Sequence, residues 1–331
     1  MPQRAQSNRN AARRTHARRC TLPLALLAAG PILAAPLSAE LEGDVSAGYD
    51  SNPAQSHEAI GLAFARYVFA AVQPIGLGGA DVSLGASGFY TDYEAANDNY
   101  RFALNADWSG AWPGDSGVLT VSAAGAAYRD ALVPADARNE MALTLRYERI
   151  LTARDSLNLT AEIRQLAYIY PSLPWAGRPG SGPSLPAASQ SGRARGGLAV
   201  RRTDLLTGLG IDVTHAWAPT LTGVLSAAIT RCNSPVPVDA YLRSGLGFLI
   251  RAEPAVDWSL ELGLGWSRTA YDRAPQQQER VDNEVAAGLT LRRTIDQAAL
   301  FCSLDWIDSQ STIATRAFRQ QVTQCGLSWS F

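Results

Sequence analysis

A transmembrane antiparallel β-barrel of about fourteen strands is the fold class this sequence predicts, on three observations. Beyond residue 39 the apolar residues alternate with polar ones in pieces about 10 to 14 residues long. Such pieces cross a bilayer when tilted, whereas the strands of soluble sandwiches centre on about 5 to 6 residues. Aromatics gather near the ends of the pieces, at Tyr49, Tyr90, Trp112, Trp217, Trp266, Trp306 and Trp329, where two interfacial girdles require them. The connectors also take turns in length. Short ones are QPIG after residue 72, PGDS after 112, TARD after 151, AP after 217, EP after 252 and ID after 294; longer ones lie around 51–58, 91–99, 129–138, 171–203, 233–239, 271–281 and 307–317.

Pairing these connectors places strands near 40–50, 59–71, 77–90, 99–112, 117–129, 139–151, 156–169, 204–217, 220–232, 240–252, 256–269, 282–293, 297–306 and 318–331. An even number leaves both ends of the barrel chain on one side and lets the last strand close on the first. In NYRFALNADWSGAW the outward set is Tyr100, Phe102, Leu104, Ala106 and Trp108, against Arg101, Asn105, Asp107 and Ser109. In VDWSLELGLGW it is Val256, Trp258, Leu260, Leu262, Leu264 and Trp266. The stretch SGRARGGLAVRRTD reads as loop, as an extension of the 204–217 strand, or as a segment folded into the lumen. Twelve or sixteen strands follow if a pair is missed or added between 171 and 218. A secreted or periplasmic all-β fold is the alternative, with the same apolar faces turned to a core.

The first 39 residues stand apart from this pattern. Positions 1–19 carry six arginines and no acid, and they precede TLPLALLAAGPILAA, a basic flank and short apolar run of the kind that directs export. Cleavage is expected after Ala39, or after Ala35, leaving a barrel over 40–331. All 30 acidic residues follow residue 39 while six of the 29 basic ones precede it, so removal of the leader takes the net charge from -1 to about -7. That balance argues against nucleic acid as a partner. No run approaches the roughly 18 apolar residues of a membrane helix.

The final CGLSWSF alternates Cys325, Leu327, Trp329 and Phe331 with Gly326, Ser328 and Ser330. A free hydrophobic edge invites aggregation unless it is closed. A terminal aromatic after alternating hydrophobics resembles the C-terminal signal by which outer-membrane barrels are recognised for insertion, which implies the barrel assembly machinery as a partner of Leu327, Trp329 and Phe331. Export also leads to an oxidising compartment. Cys302 and Cys325 are equidistant from a hairpin centre at residues 313 to 314, which sets them opposite, with Cβ atoms about 4.5 to 5.5 Å apart. A disulfide is expected in a non-hydrogen-bonded register, with Cys232 left free; the alternative is two thiols packed against lipid as small hydrophobes.

Catalytic chemistry is sparse. His57 and His215 are the histidines after the leader, so no local metal-ligand spacing exists. His215 falls on an apolar face near a periplasmic turn, and a Ser–His arrangement of His57 with Ser51 or Ser56 has to be judged by geometry. GLGGA is a strand start, not a phosphate loop; no catalytic residue, metal or cofactor is assigned. The inward faces offer instead a candidate pore lining: Glu42, Asp44, Asp81, Arg101, Asp107, Arg146, Glu148, Glu162, Arg164, Asp212, Glu261, Glu284, Arg292 and Asp305. Mixed acids and arginines either set the field of a channel or merely hydrate and brace the lumen. Small inward residues such as Ser83, Ser87, Gly263, Gly265, Ala286 and Gly288 leave room for a conduit.

GYDSNPAQ, at the outer end of the first strand, resembles the Y-D-S-N signature that opens the barrel domain of surface lipoprotein assembly modifiers and of some exopolysaccharide-associated barrels. Tyr49, Asp50, Ser51 and Asn52 carry it. The end of the chain, with Ser309, Ser311, Arg319 and GLSWSF, is similar to the end of the same domains. The resemblance implies a fourteen-stranded barrel that helps move lipoproteins to the cell surface. Modifiers carry a helical repeat domain before the barrel, whereas here Ala39 leads almost directly into LEGDV, so export would call on a separate periplasmic partner. On physical grounds Tyr49 belongs to the outer girdle, Asp50 caps a turn, Ser51 and Asn52 tolerate turn dihedrals and Pro53 ends pairing. Asp50 with Asp92 or Glu94 is a candidate cation site. Three functions stay open: a conduit assisting export or display of a lipoprotein, protein or polysaccharide; a passive porin for small polar solutes; and a surface adhesin or structural barrel. Each places the chain in the cell outer membrane, with its lipid as partner and no enzymatic activity.

Overall fold

The structure, a computed structural model, describes residues 39–77, 80–94, 98–112, 117–170, 202–272 and 279–331. The expected leader and the segment 171–201, where the strand count was least constrained, lie outside these. The strands in chain order are β1 Glu40–Asp50, β2 Leu62–Leu77, β3 Ala80–Tyr93, β4 Asn99–Ala111, β5 Gly117–Asp130, β6 Arg138–Ile150 and β7 Asp155–Tyr168, followed by β8 Thr203–Ala218, β9 Leu221–Asn233, β10 Tyr241–Ala255, β11 Trp258–Tyr271, β12 Val281–Ile295, β13 Ala298–Ser311 and β14 Phe318–Ser330. Each pairs antiparallel with its sequence neighbours and β14 pairs with β1, closing a fourteen-stranded barrel. The closing seam runs from Glu42 opposite Ser330 to Asp50 opposite Val322. Beyond it Leu41 N donates to Phe331 O at 3.0 Å and Phe331 N donates to Leu41 O at 2.8 Å.

Burial is inverted relative to a soluble protein. Leu41, Val45 and Tyr49 on β1, Met141, Leu143 and Leu145 on β6, and Leu205, Leu209 and Val213 on β8 are all exposed on the outer wall. An apolar surface of this extent is stable only against lipid. The sandwich alternative fails here, because the apolar faces turn outward and the polar faces inward. Outward aromatics mark the two interfaces. Tyr100 and Trp108 on β4, and Trp258 and Trp266 on β11, are exposed pairs spaced eight residues apart. At about 3.3 Å per residue and a tilt of about 40° the girdles are roughly 20 Å apart, near the height of an outer-membrane apolar band.

Glycines on the lipid face sit beneath these aromatics. The rings of Trp329, Tyr49, Phe69, Tyr147 and Trp217 occupy the space where a Cβ would stand at Gly43, Gly61, Gly88, Gly117 and Gly223, respectively. An aromatic laid over a glycine on the neighbouring strand restores packing and pins the register.

Two of the expected turns are strand. Gln73, Pro74, Ile75 and Gly76 continue β2, with Pro74 opposite Ser83 of β3. On the other side pairing with β1 ends at Val72 opposite Glu40, so Pro74 sits on an open edge, where its missing N–H costs no ladder bond. Likewise Glu253 and Pro254 continue β10, at a register shift between Ala252 and Ala255, and a bulge tolerates proline. The turn expected at Ile295 and Asp296 falls one residue later, with Asp296 at φ 53°. At the outer end β13, expected to stop at 306, runs on to Ser311. Its outward residues there are polar, Asp308 opposite Arg319 of β14 and Gln310 opposite Asn283 of β12, so the ladder continues past the bilayer into water.

Candidate functional site

A fourteen-stranded wall with strands about 4.8 Å apart and tilted about 40° has a backbone diameter of about 28 Å. The lumen is therefore the largest feature the fold builds. Alternation places every proposed lining residue on the inward face, from Glu42 and Asp44 on β1 and Asp81 on β3 to Glu284 and Arg292 on β12 and Asp305 on β13, opposite the exposed apolar residues of the same strands.

The two halves of the lumen differ in relief. From β8 to β12 the middle of the inward face carries small residues in register, with Arg243, Arg251, Glu261 and Glu284 toward its two ends: Gly210 faces Ala228, Ser226 faces Gly247, Gly247 faces Gly265, and Gly263 faces Gly288. A Cβ added at Gly210, Gly247, Gly263 or Gly265 would have no heavy atom nearer than 3.5 Å, and none of the four takes a left-handed φ. Neither packing nor backbone conformation requires glycine there. Across the barrel, glycines are covered. Gly48 lies under Phe64, Gly85 under Asn105 and Gly326 under Phe301, so β1 to β4, β13 and β14 form the bulky wall.

One group of inward charged residues lies toward the short-turn end of the barrel, the end expected to face the periplasm. Asp44, Asp107, Arg146, Asp212, Glu261 and Arg292 all project inward within six residues of the periplasmic ends of their strands. Arg251 pairs with Glu261 at 2.5 Å, and Arg146 lies 3.8 Å from Glu148. Asn105 Nδ2 donates to Asp107 at 2.5 Å and Asn158 Nδ2 to Asp212 at 3.0 Å. Higher in the lumen Arg164 donates to Glu162 at 2.9 Å, Arg243 to Glu284 at 3.1 Å, and Arg101 to Glu140 at 3.3 Å.

The outer mouth is braced by a unit that occurs at three hairpins. Arg138, Arg202 and Arg280 stack on Tyr128, Tyr168 and Tyr271 of the preceding strand, with the guanidinium carbon 4.8, 4.2 and 3.9 Å from the ring centroid. Each arginine also binds the carboxylate two residues onward, Glu140, Asp204 or Asp282. Arg202 reaches a second hairpin through Asp239 at 2.7 Å. Asp204 has no exposure at all and Cys232 is buried beside this end of the wall. Sequence reading passed over this unit, although the recurring Arg-x-acid at strand starts was a usable signal.

Tyr49 is exposed in the outer girdle, while Asp50 and Asn52 are buried. Gln320 Nε2 donates to both oxygens of Asp50, at 3.0 and 2.8 Å, and the Asn52 N–H donates to Asp50 Oδ1 at 2.9 Å. Asn52 Nδ2 donates to the carbonyls of Ser56 and Arg319 at 2.8 and 2.9 Å, and Asn52 Oδ1 accepts from Ser56 N. Ser51 Oγ accepts from Gln321 N at 2.7 Å. The motif thus fastens the first external loop to β14 across the closing seam. Asp50's oxygens face amide donors, and no group of three potential metal ligands gathers among the described residues. His57 Nδ1 lies 3.4 Å from Ala317 O. His215 is outward, 2.7 Å from Asp155 and edge-on to Trp217.

Cys302 and Cys325 are register partners on the outward face and are joined as a disulfide, with Cα atoms 4.1 Å apart; Cys232 is free.

No family model and no curated protein matches the chain. Solved structures do. The outer-membrane expressed OmpT of Vibrio cholerae aligns over 91% of this chain and 99% of that one at TM-score 0.50 and 5% identity. The outer membrane channel DcaP of Acinetobacter baumannii aligns over 88% and 97% at 0.49 and 9%, and a Pseudomonas aeruginosa FadL homologue over 88% and 90% at 0.47 and 11%. At these identities the likeness is one of fold: this chain has the architecture of an outer-membrane β-barrel.

Proposed function

We propose that the barrel is a water-filled conduit through which small polar solutes cross the outer membrane. The observation that carries this is the open small-residue wall of β8 to β12. Glycine within regular structure costs about 0.5 to 1 kcal/mol relative to alanine, and at Gly210, Gly247, Gly263 and Gly265 no contact or dihedral offsets that cost. Lumen width does, because even a methyl group at each position would narrow the passage. Above, below and opposite this patch are charges of both signs, which keep the lumen hydrated. Single-channel recording of purified protein in planar bilayers tests the reading: a stable conductance without any partner supports it.

The Y-D-S-N resemblance supports a second reading, an export conduit for a lipoprotein or another surface polymer working with a periplasmic partner. Asp50, Ser51 and Asn52 are taken up in closing the barrel, a duty either reading needs. The two part on whether the pore conducts unaided.

A further inference from the structure

We infer that this conduit favours cations and cationic solutes over anions, an inference that rests on the conduit reading above. It follows from which lumen charges are already cancelled. Arg101 and Arg138 share the single carboxylate of Glu140, so one positive charge is left over at that site. Arg164 is matched by Glu162, Arg243 by Glu284, Arg251 by Glu261 and Arg146 by Glu148. Among the described residues this leaves Arg66 and Arg292 as inward strand arginines without a carboxylate partner. Arg66 lies over the Phe89 ring, and Arg292 donates to Ser328 Oγ at 2.8 Å.

The carboxylates are treated differently. Asp44, Asp81, Asp107, Asp212 and Asp305 all face inward, and none has an arginine within 4 Å among the described residues. Two of them are held by amides, Asp107 by Asn105 and Asp212 by Asn158. An amide donor fixes the direction of a carboxylate and leaves its full negative charge, whereas an arginine in the same place would cancel it. Asp44, Asp107 and Asp212 stand on β1, β4 and β8, each within six residues of the periplasmic end of its strand. A passing solute therefore meets uncancelled negative charge from several sides at similar depth. Arg66 and Arg292 both act on Asp44, Arg292 by reaching its register partner Ser328, and so offset part of the charge at β1; Asp107 and Asp212 have no arginine within 4 Å among the described residues. Their field acts across the lumen, whose β8 to β12 wall leaves space open at Gly210, Gly247, Gly263 and Gly265.

The test is a reversal potential measured with the purified full chain in a planar bilayer under a potassium chloride gradient. The expected potassium-to-chloride permeability ratio is about 3 or more at 0.1 M salt, falling toward about 1 at 1 M as the Debye length shrinks from about 10 Å to about 3 Å. The double variant Asp107→Asn, Asp212→Asn should conduct with the ratio reduced by about half. Should it fail to fold, Asp305→Asn, which loses no hydrogen bond among the described residues, should lower the ratio in the same direction. Chloride preference in the native protein, or a ratio unmoved by these substitutions, would overturn the cation inference and leave the conduit standing. A folded protein with no conductance would overturn both.

Discussion

Gln320 Nε2 donates to the two carboxylate oxygens of Asp50 at 3.0 and 2.8 Å, across 270 residues of sequence. Asp50 also caps its own turn by accepting the Asn52 N–H, but the pair with Gln320 exists because β14 returns to lie against β1. Asn52, with no exposed surface, continues the same network into Ser56 and the Arg319 carbonyl. Replacing Asn52 with alanine leaves these buried backbone groups unsatisfied at about 1 to 3 kcal/mol each. The expected outcome is a lower urea midpoint for protein refolded in lipid vesicles, with Asn52→Asp lower still, because an oxygen would then face two carbonyl acceptors.

Phe331 is 70% exposed on the outer wall and contributes two backbone hydrogen bonds with Leu41. Deleting it should therefore cost inserted protein about 1 kcal/mol, yet sharply reduce the amount that reaches the outer membrane if the terminal aromatic is read during insertion. Outer-membrane yield and unfolding midpoint, measured on the same variant, separate the two effects. Unchanged yield would remove the insertion role.

The barrel itself was legible because lipid and lumen impose opposite demands on alternate residues, and NYRFALNADWSGAW or VDWSLELGLGW satisfies both over its full length. The inward position of Asp44, Asp107 and Arg292 follows from the same period. Pro74 and Pro254 misled, because proline marks a turn only where a ladder bond would be lost, and both stand at an edge or a bulge. The partners of the lining residues were not legible. Asn158 with Asp212, Arg243 with Glu284 and Gln320 with Asp50 are set by cross-strand register and barrel closure, which no local window of sequence contains.

The Cys302–Cys325 bond closes a segment with a sequence separation of 23, for which chain-entropy arguments give about 3 kcal/mol of stabilisation. Non-reducing peptide mapping should recover the linked pair from folded protein. After reduction in vesicles, both thiols face lipid, so a membrane-permeant maleimide should label them and a charged one should not. Labelling of native, unreduced protein at both positions would reject the bond.

Arg202 joins Asp204, Asp239 and the Tyr168 ring at the outer mouth. Substitution by alanine strands the fully buried Asp204 carboxylate, a loss of about 3 to 5 kcal/mol. The loss should appear as faster amide hydrogen exchange at the outer ends of β7 and β8, with the periplasmic ends unaffected. Arg202→Lys should recover only part of the protection, since an ammonium cannot stack on the ring while bridging two carboxylates.

The open glycine wall is what a solute pathway would need, and single-channel conductance with Gly247→Trp and Gly265→Trp measures it. Register places the two indoles side by side on the inward face, and at neither position does a Cβ meet an atom nearer than 3.5 Å. Native protein should show a stable unaided conductance that the double variant lowers by about half or more while keeping its unfolding midpoint. A native protein silent without a partner, or a double variant that conducts as well as the native one, would contradict the claim that this wall is the bed of a solute pathway.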